Sequence, residues 1–215
     1  MEPKTTTTKR KTKAKTVSVK AKPKAKAQPK AKAQPKPLPN LPPQPFVFEV
    51  LDLVSRQRAK SKKIEVLKKY EESHLKTLFI WNFDESVISV LPPGDVPYSG
   101  YDEQNTYSGT LTTKLSEEVR RMHEQGNFSL GAADKDGHTT IRREARHFYH
   151  FCRGGNNDIS TIRRETMFIN ILEGLHPLEA EIVVLCKDKR LSEVYKITKE
   201  LVSEAYPDIK WGGRS

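Results

Sequence analysis

Cysteine is scarce in this chain: its 215 residues include two cysteines, Cys152 and Cys186. Two isolated cysteines cannot build the disulfide framework of a small secreted domain, so the pattern fits a reducing compartment. Long hydrophobic runs are missing too. No window reaches the roughly 18 consecutive apolar residues that a membrane-spanning helix needs, and the N-terminus lacks the apolar core of a secretion signal. We therefore expect an intracellular protein with no membrane partner.

Motifs for catalysis, metal binding and phosphate-cradling loops are also missing. The chain contains no Cys-x-x-Cys or His-Glu-x-x-His, and the glycine cluster at Gly154-Gly155 lacks a following Lys-Ser/Thr, so it predicts a helix stop. His147, His150 and Cys152 form His-x-x-His-x-Cys, in which the histidines share a helix face but the cysteine does not. We interpret this segment as an aromatic helix packed on the core with partly exposed histidines. We expect no enzyme activity, no catalytic residue, no metal site and no cofactor.

Positive charge, in contrast, is abundant and concentrated in one segment. Residues 1–45 carry 13 of the 38 lysines and arginines and one acid, Glu2, so their net charge is +12 while the whole chain has +11. The rest of the chain therefore carries −1. Charge this localised favours contact with an anionic polymer, with nucleic acid as the expected partner. The candidate phosphate contacts in this segment are Lys9, Arg10, Lys11, Lys13, Lys15, Lys20, Lys22, Lys24, Lys26, Lys30, Lys32 and Lys36.

The same segment, which we call the basic arm (residues 1–45), has the composition of a disordered chain. Pro23-Lys-Ala-Lys-Ala-Gln28 repeats directly as residues 29–34, and eight prolines but only two leucines lie between Lys20 and Pro45. So little apolar area cannot offset the cost of ordering a backbone, about 1–2 kcal/mol per residue. We expect a disordered arm and linker at 1–45 and a folded domain at 46–215. The alternatives are a solvated tail that only maintains solubility, and a tail that binds membrane or protein polyanions.

After Pro45 the apolar residues follow helical spacing, which predicts an all-α domain of about eight helices. Asp158 or Ser160 begins one helix, with Ile162 among its inward residues, and Pro177 suits the first turn of the next. Ser192 is expected to cap the last helix, which ends before Pro207. Residues 86–109 predict a long loop. The other predicted helices are one that carries the apolar stripe starting at Phe46, one capped by Ser61, one from about Leu75 to Asp84, and the helices Leu111–Gln125 and Thr139–Cys152.

Basic side chains inside the domain supply further candidate contacts. Arg142-Arg143 and Arg163-Arg164 are adjacent pairs, and neighbours on a helix point about 100° apart, so at most one of each pair can be buried. The planar guanidinium binds phosphate in bidentate fashion, although nearby acids offer surface ion pairs as the ordinary alternative. The candidate DNA contacts in the domain are Lys60, Lys62, Lys63, Arg142, Arg143, Arg146, Arg163 and Arg164.

Two stretches carry a family resemblance. Phe48-Glu-Val-Leu-Asp-Leu-Val-Ser-Arg-Gln-Arg-Ala-Lys-Ser-Lys-Lys-Ile-Glu-Val-Leu-Lys-Lys-Tyr70 resembles the start of the N-terminal helical DNA-binding domain of ATP-dependent DNA ligases, and Arg163–Leu175 is similar to a late helix of that domain. The resemblance implies a helical grip on duplex DNA through the backbone. Ligases carry a Lys-x-Asp-Gly motif, whereas Lys135-Asp136-Gly137 lacks the spacer. The chain also resembles uncharacterised proteins of large tailed phages of marine bacteria, whose endings resemble Leu172–Glu181 with the later Lys187-Asp-Lys.

These observations predict a non-catalytic DNA-binding accessory protein whose arm neutralises phosphates without sequence preference while the helical domain docks. The expected partners are DNA and a replication, packaging or virion protein. Duplex DNA is the first expectation, and the choice between duplex and single strand stays open. The expected location is the host cytoplasm if the chain is phage-encoded. The alternatives are a structural or virion-associated interaction protein whose arm only touches packaged genome, and a chromatin protein with Lys9-Arg-Lys-Thr-Lys13 as a nuclear import signal.

Overall fold

The computed structural model describes residues 40–96, 110–125 and 139–214, and this part of the chain is mainly helical. It contains nine α-helices, one 3₁₀ helix and no β-strand, so the all-α expectation is confirmed. None of these helices is both long and apolar enough to cross a bilayer. The elements in chain order are α1 (Val47–Arg56), α2 (Lys60–Lys69), α3 (Ser73–Phe83), α4 (Leu111–Glu124), α5 (Ile141–Glu144), the 3₁₀ helix (Ala145–Phe151), α6 (Thr161–Gly174), α7 (Pro177–Lys187), α8 (Leu191–Val194) and α9 (Lys199–Ala205).

Helix α7 is the central element of the fold. It contacts α1, α3, α4, α6 and α8, and it has buried side chains on every side, which is typical of a helix enclosed by others. Its buried residues include Ile182, Val183 and Cys186, each with 0% exposure. Helices α2 and α9 pack on each other, and α2 also packs on α1. The result is a single hydrophobic core that draws on every long helix.

Described residues just before α1 pack at the end of α2. Leu41 and Pro45 are buried, and the Leu41 amide donates to the Tyr70 hydroxyl at 2.9 Å. Lys69 Nζ donates to Asn40 Oδ1 at 2.5 Å. Residues 40–45, which the sequence assigns to the arm and linker, belong to the compact unit, and the boundary at Pro45 stays a prediction. The arm's candidate contacts, Lys9 to Lys36, lie outside the described residues.

A row of aromatic side chains anchors the 3₁₀ helix. Trp81 of α3 packs on Phe148 with ring centroids 5.2 Å apart, and Phe151 meets Phe168 of α6 edge to face at 5.1 Å. All four side chains are at most 2% exposed. Large buried rings dominate core energetics, so the 3₁₀ helix is held firmly between α3 and α6.

A buried carboxylate joins the starts of two helices. Glu179 of α7 is 1% exposed, and its oxygens accept from the amides of Val47 at 3.1 Å and Ile141 at 2.8 Å. These are the first residues of α1 and α5, whose amides have no partner within their own helices. One side chain thus caps two helices, and it fixes where the 3₁₀ helix begins because α5 leads directly into it.

The predicted helix boundaries hold in part. Ser160 caps α6 through the Arg163 amide and Pro177 starts α7, as expected. The helix expected from Ser192 was wrong as a single element: α8 ends at Val194, and Thr198 caps a separate α9. Ile162 was also predicted wrongly as inward, because it lies in the first turn of α6 and is 79% exposed. The expected helix Thr139–Cys152 is α5 followed by the 3₁₀ helix, and residues 97–109 of the expected loop lie outside the described part.

Candidate nucleic-acid interface

The candidate lysines at the start of α2 are all engaged with protein partners. Lys60 pairs with Glu204, Lys62 lies 3.5 Å from Glu65, and Lys63 donates to the carbonyl of Lys196. Partial burial, followed by the nearby Lys196 charge, lowers the pKa of Lys63. Exposed ion pairs contribute little to stability, so an incoming phosphate can replace the acidic partners of Lys60 and Lys62 at small cost.

The two arginine pairs divide between inside and outside, as their angular separation predicts. Arg142 pairs with Glu72 at 2.5 Å, whereas Arg143 is exposed. Arg164 donates from Nε to the His150 carbonyl at 2.7 Å and from Nη2 to the Asn156 carbonyl at 2.8 Å, whereas Arg163 is exposed. The inward member of each pair therefore braces the fold.

Two exposed arginines, Arg146 and Arg163, lie at one groove. This groove has a volume of about 520 Å³ and lies between the 3₁₀ helix and α6, and Arg163, His147, Thr166 and Asn170 are among its lining residues. Arg146 reaches the same rim, since its Nε donates to His147 Nε2 at 3.1 Å. Among the described residues, Arg143, Arg146 and Arg163 form no ion pair. We call these three the outward arginines; their guanidinium groups are available to an anion.

The histidine and cysteine side chains near this groove are not arranged as a metal site. His147 and His150 stack with ring centroids 6.0 Å apart, while Cys152 Sγ donates to the Phe148 carbonyl at 3.7 Å. Burial raises the pKa of the Cys152 thiol to about 11, and burial with the charges of His147 and Arg164 lowers the pKa of His150. In the described ranges no cluster of three or more metal-binding side chains occurs. The His150 ring and the Cys152 thiol are therefore neutral near pH 7, which suits packing.

Tight packing follows the 3₁₀ helix, where the sequence predicted a helix stop. Gly154 has φ of +78°, which glycine adopts without strain. A Cβ on Gly155 would lie 1.9 Å from the Tyr149 carbonyl oxygen, so only glycine fits there. Tyr149 itself is 51% exposed, an exposure that its place between buried aromatic residues does not indicate in the sequence. The exposed Arg153 beside these glycines was also missed.

Comparison with known proteins gives one family match. No curated protein and no solved structure matches the chain significantly. A family model described as "Family of unknown function (DUF6433)" matches residues 50–135 and 129–193. The matched ranges include α2 and the segment with the outward arginines, so both candidate contact groups of the domain belong to the part shared with that family.

Proposed function

Since this chain belongs to the family of unknown function DUF6433, we propose from its own residues that it is a non-catalytic DNA-binding accessory protein. In this proposal the basic arm neutralises phosphates without sequence preference, and the helical domain docks on DNA or on a replication, packaging or virion protein. A phage origin, an intracellular location and the ligase-like grip on DNA belong to the same proposal.

The distribution of charge carries the proposal. The arm's net charge of +12 stands against −1 for the residues that follow it. Cationic segments release condensed counterions when they bind nucleic acid, which supplies most of the free energy of non-specific binding. The residues that follow the arm carry almost no net charge, so the arm is expected to provide most of the affinity.

The geometry of the domain supports this division of labour. Lys68 at the end of α2 is exposed, and Lys69 contacts Asn40. DNA that is engaged on this side of the domain would therefore meet lysine side chains of α2. The outward arginines offer a second contact that does not require breaking an ion pair among the described residues.

A gel-shift comparison tests the proposal. The full chain and the compact unit, residues 38–215, are titrated on the same duplex and on the same single strand at low salt. The proposal expects tight binding by the full chain and binding weaker by at least about tenfold after removal of residues 1–37, which include all 13 basic residues of the arm. Equal affinity of the two proteins would remove the arm from the account.

A protein-interaction module is the second candidate, favoured by exposed apolar side chains on the domain. Ile162 is 79% exposed and Val194 is 51% exposed. In this alternative the arm only contacts packaged genome, as expected for a structural or virion component. Recovery of the protein in intact particles, together with no DNA affinity of the full chain in solution, would favour this alternative over the first.

A further inference from the structure

The change from α-helix to 3₁₀ helix after Glu144 arranges the side chains in rows. A 3₁₀ helix has three residues per turn, so side chains three positions apart lie above one another. Ala145, Phe148 and Phe151 form the inward row, and both phenylalanines are at most 1% exposed. Arg146 and Tyr149 form the outward row, and both are exposed. Arg143 precedes them by three residues and Arg153 follows, and both of these are exposed as well.

We call Arg143, Arg146, Tyr149 and Arg153 the outward ridge. Three residues of a 3₁₀ helix rise by about 6 Å. This step is comparable with the separation of successive phosphates along an extended nucleic-acid strand. The outward ridge therefore presents three guanidinium groups and one aromatic ring on the exposed side of this segment, which suits the phosphates and one base of a single strand.

Tyr149 is a rigid aromatic surface rather than a loose side chain. Its ring contacts the His150 ring with centroids 3.9 Å apart. His150 is 9% exposed, and the Asn156 side-chain amide donates to its Nδ1 at 3.1 Å. The tight contact of Gly155 with the Tyr149 carbonyl fixes the backbone. A tyrosine that is supported in this way and is still 51% exposed can stack with a planar ligand at little entropic cost.

A second groove lies on the other side of the 3₁₀ helix, next to this ring. It has a volume of about 370 Å³, and its lining includes Trp81, Phe148, Tyr149, Arg153 and Arg214. Ligand sites combine apolar and aromatic walls with a few polar groups, and this groove has both. Trp81 Nε1 is buried and has no hydrogen-bond partner among the described residues, and a buried donor of this kind is rare.

We propose that the outward ridge and this second groove bind single-stranded DNA, with phosphates on the arginines and an unpaired base stacked on Tyr149. The inference rests on the DNA-binding function proposed above and adds the class of substrate. A duplex hides the faces of its bases, so an exposed aromatic surface contributes only to an unpaired strand. The arginines of the outward ridge (Arg143, Arg146 and Arg153) favour nucleic acid over an apolar peptide because, among the described residues, none of them pairs with an acid.

The test uses full-length chains and two DNA probes, a single strand that carries 2-aminopurine and a blunt duplex of equal length. Tyr149→Ala should weaken binding of the single strand by about tenfold and leave duplex affinity within twofold, while Tyr149→Phe keeps the ring and should bind like the wild type. The matched control is Ile162→Ala, which removes a more exposed apolar side chain from α6 and should change neither affinity. The 2-aminopurine fluorescence should fall on binding to the wild type and to Tyr149→Phe, and stay high with Tyr149→Ala.

The arginines are tested in the same assay. Arg146→Gln should reduce the salt slope of single-strand binding by about one, whereas the exposed Arg121→Gln on α4 should leave it unchanged. If Tyr149→Ala binds both probes as the wild type does, or weakens both equally, the stacking site is overturned although arm-dependent DNA binding stands. If the wild-type chain binds neither probe at low salt, the proposed function fails first. Circular dichroism of each variant confirms that the helices are retained.

Discussion

Glu179 gives a pH-dependent stability that can be worked out from its surroundings. Burial raises the pKa of this carboxyl to about 7, although the amides of Ile141 and Val47 and the charge of Arg142 lower it; the charge of Glu49 raises it further. Its ordinary value is 4.5, so the folded chain holds this proton more tightly than the unfolded chain. The contribution of Glu179 to stability therefore falls as pH rises from about 4.5 to about 7. The full change is about 3 kcal/mol.

The perturbation is Glu179→Gln, which removes the titration and keeps the shape. The amide oxygen can accept from one of the two capped amides, while its NH₂ group faces the other, so one buried N–H loses its partner at a cost of about 1–3 kcal/mol. This cost does not depend on pH. Buried histidines also titrate in this range: burial lowers the pKa of His74 and of His150, which makes the folded state more stable as pH rises. Both proteins share these histidines.

The informative quantity is therefore the difference in unfolding free energy between wild type and Glu179→Gln. Urea unfolding followed by tryptophan fluorescence at pH 5, 6, 7 and 8 measures it. The advantage of the wild type should shrink by about 3 kcal/mol between the acid and the alkaline end of this range. The exposed Glu85→Gln serves as the control and should keep the wild-type profile. A difference that stays constant with pH would refute the assignment of a proton to Glu179.

Two further predictions concern Asp84, which binds Gly212 and Arg214, and the glycine pair that follows the 3₁₀ helix. Asp84 accepts a hydrogen bond from the Gly212 amide and pairs with Arg214 at 2.5 Å. Burial raises the pKa of Asp84, but these bonds and those from Ser86 outweigh burial and hold the pKa at about 2. Its contribution, about 2 kcal/mol, should be present above pH 4 and disappear as pH falls through 2, and acid unfolding of Asp84→Asn should lack this step. Gly155→Ala should cost at least about 2 kcal/mol in urea unfolding because the new Cβ would overlap the Tyr149 carbonyl. Gly154→Ala should cost about 1 kcal/mol, through its backbone conformation alone; equal losses at the two glycines would contradict the close contact.

The sequence was informative where local chemistry decides the structure. Ser160 and Pro177 were recognised as helix starts because capping and fixed φ act within one turn. The division of Arg142 and Arg143 into an inward and an outward side chain followed from helix geometry alone. The apolar stripe of α6 did not locate Ile162 correctly, since periodicity identifies a face of a helix but not how far its first turn extends beyond the neighbouring helices.

The candidate site was harder to predict because it depends on tertiary packing. An α-helix over residues 139–152 would place Arg146 and Tyr149 on one broad face, whereas the 3₁₀ geometry aligns them directly above one another. That geometry is imposed by Phe148 and Phe151, which pack between α3 and α6, a contact between segments distant in sequence. Glu179 likewise reads as an ordinary helix residue, and its role as a shared cap appears only when α1 and α5 are brought to the same point.

The salt dependence of DNA binding tests the central claim most directly. The full wild-type chain is compared by fluorescence anisotropy with a full chain in which the 13 basic residues of the arm are replaced by glutamine. If about half of these residues engage phosphates, the arm should make the logarithm of the wild-type affinity fall with the logarithm of salt concentration at a slope near −6, and the neutralised chain should keep only the much shallower slope of the domain's own contacts. Equal slopes for the two proteins would contradict the account.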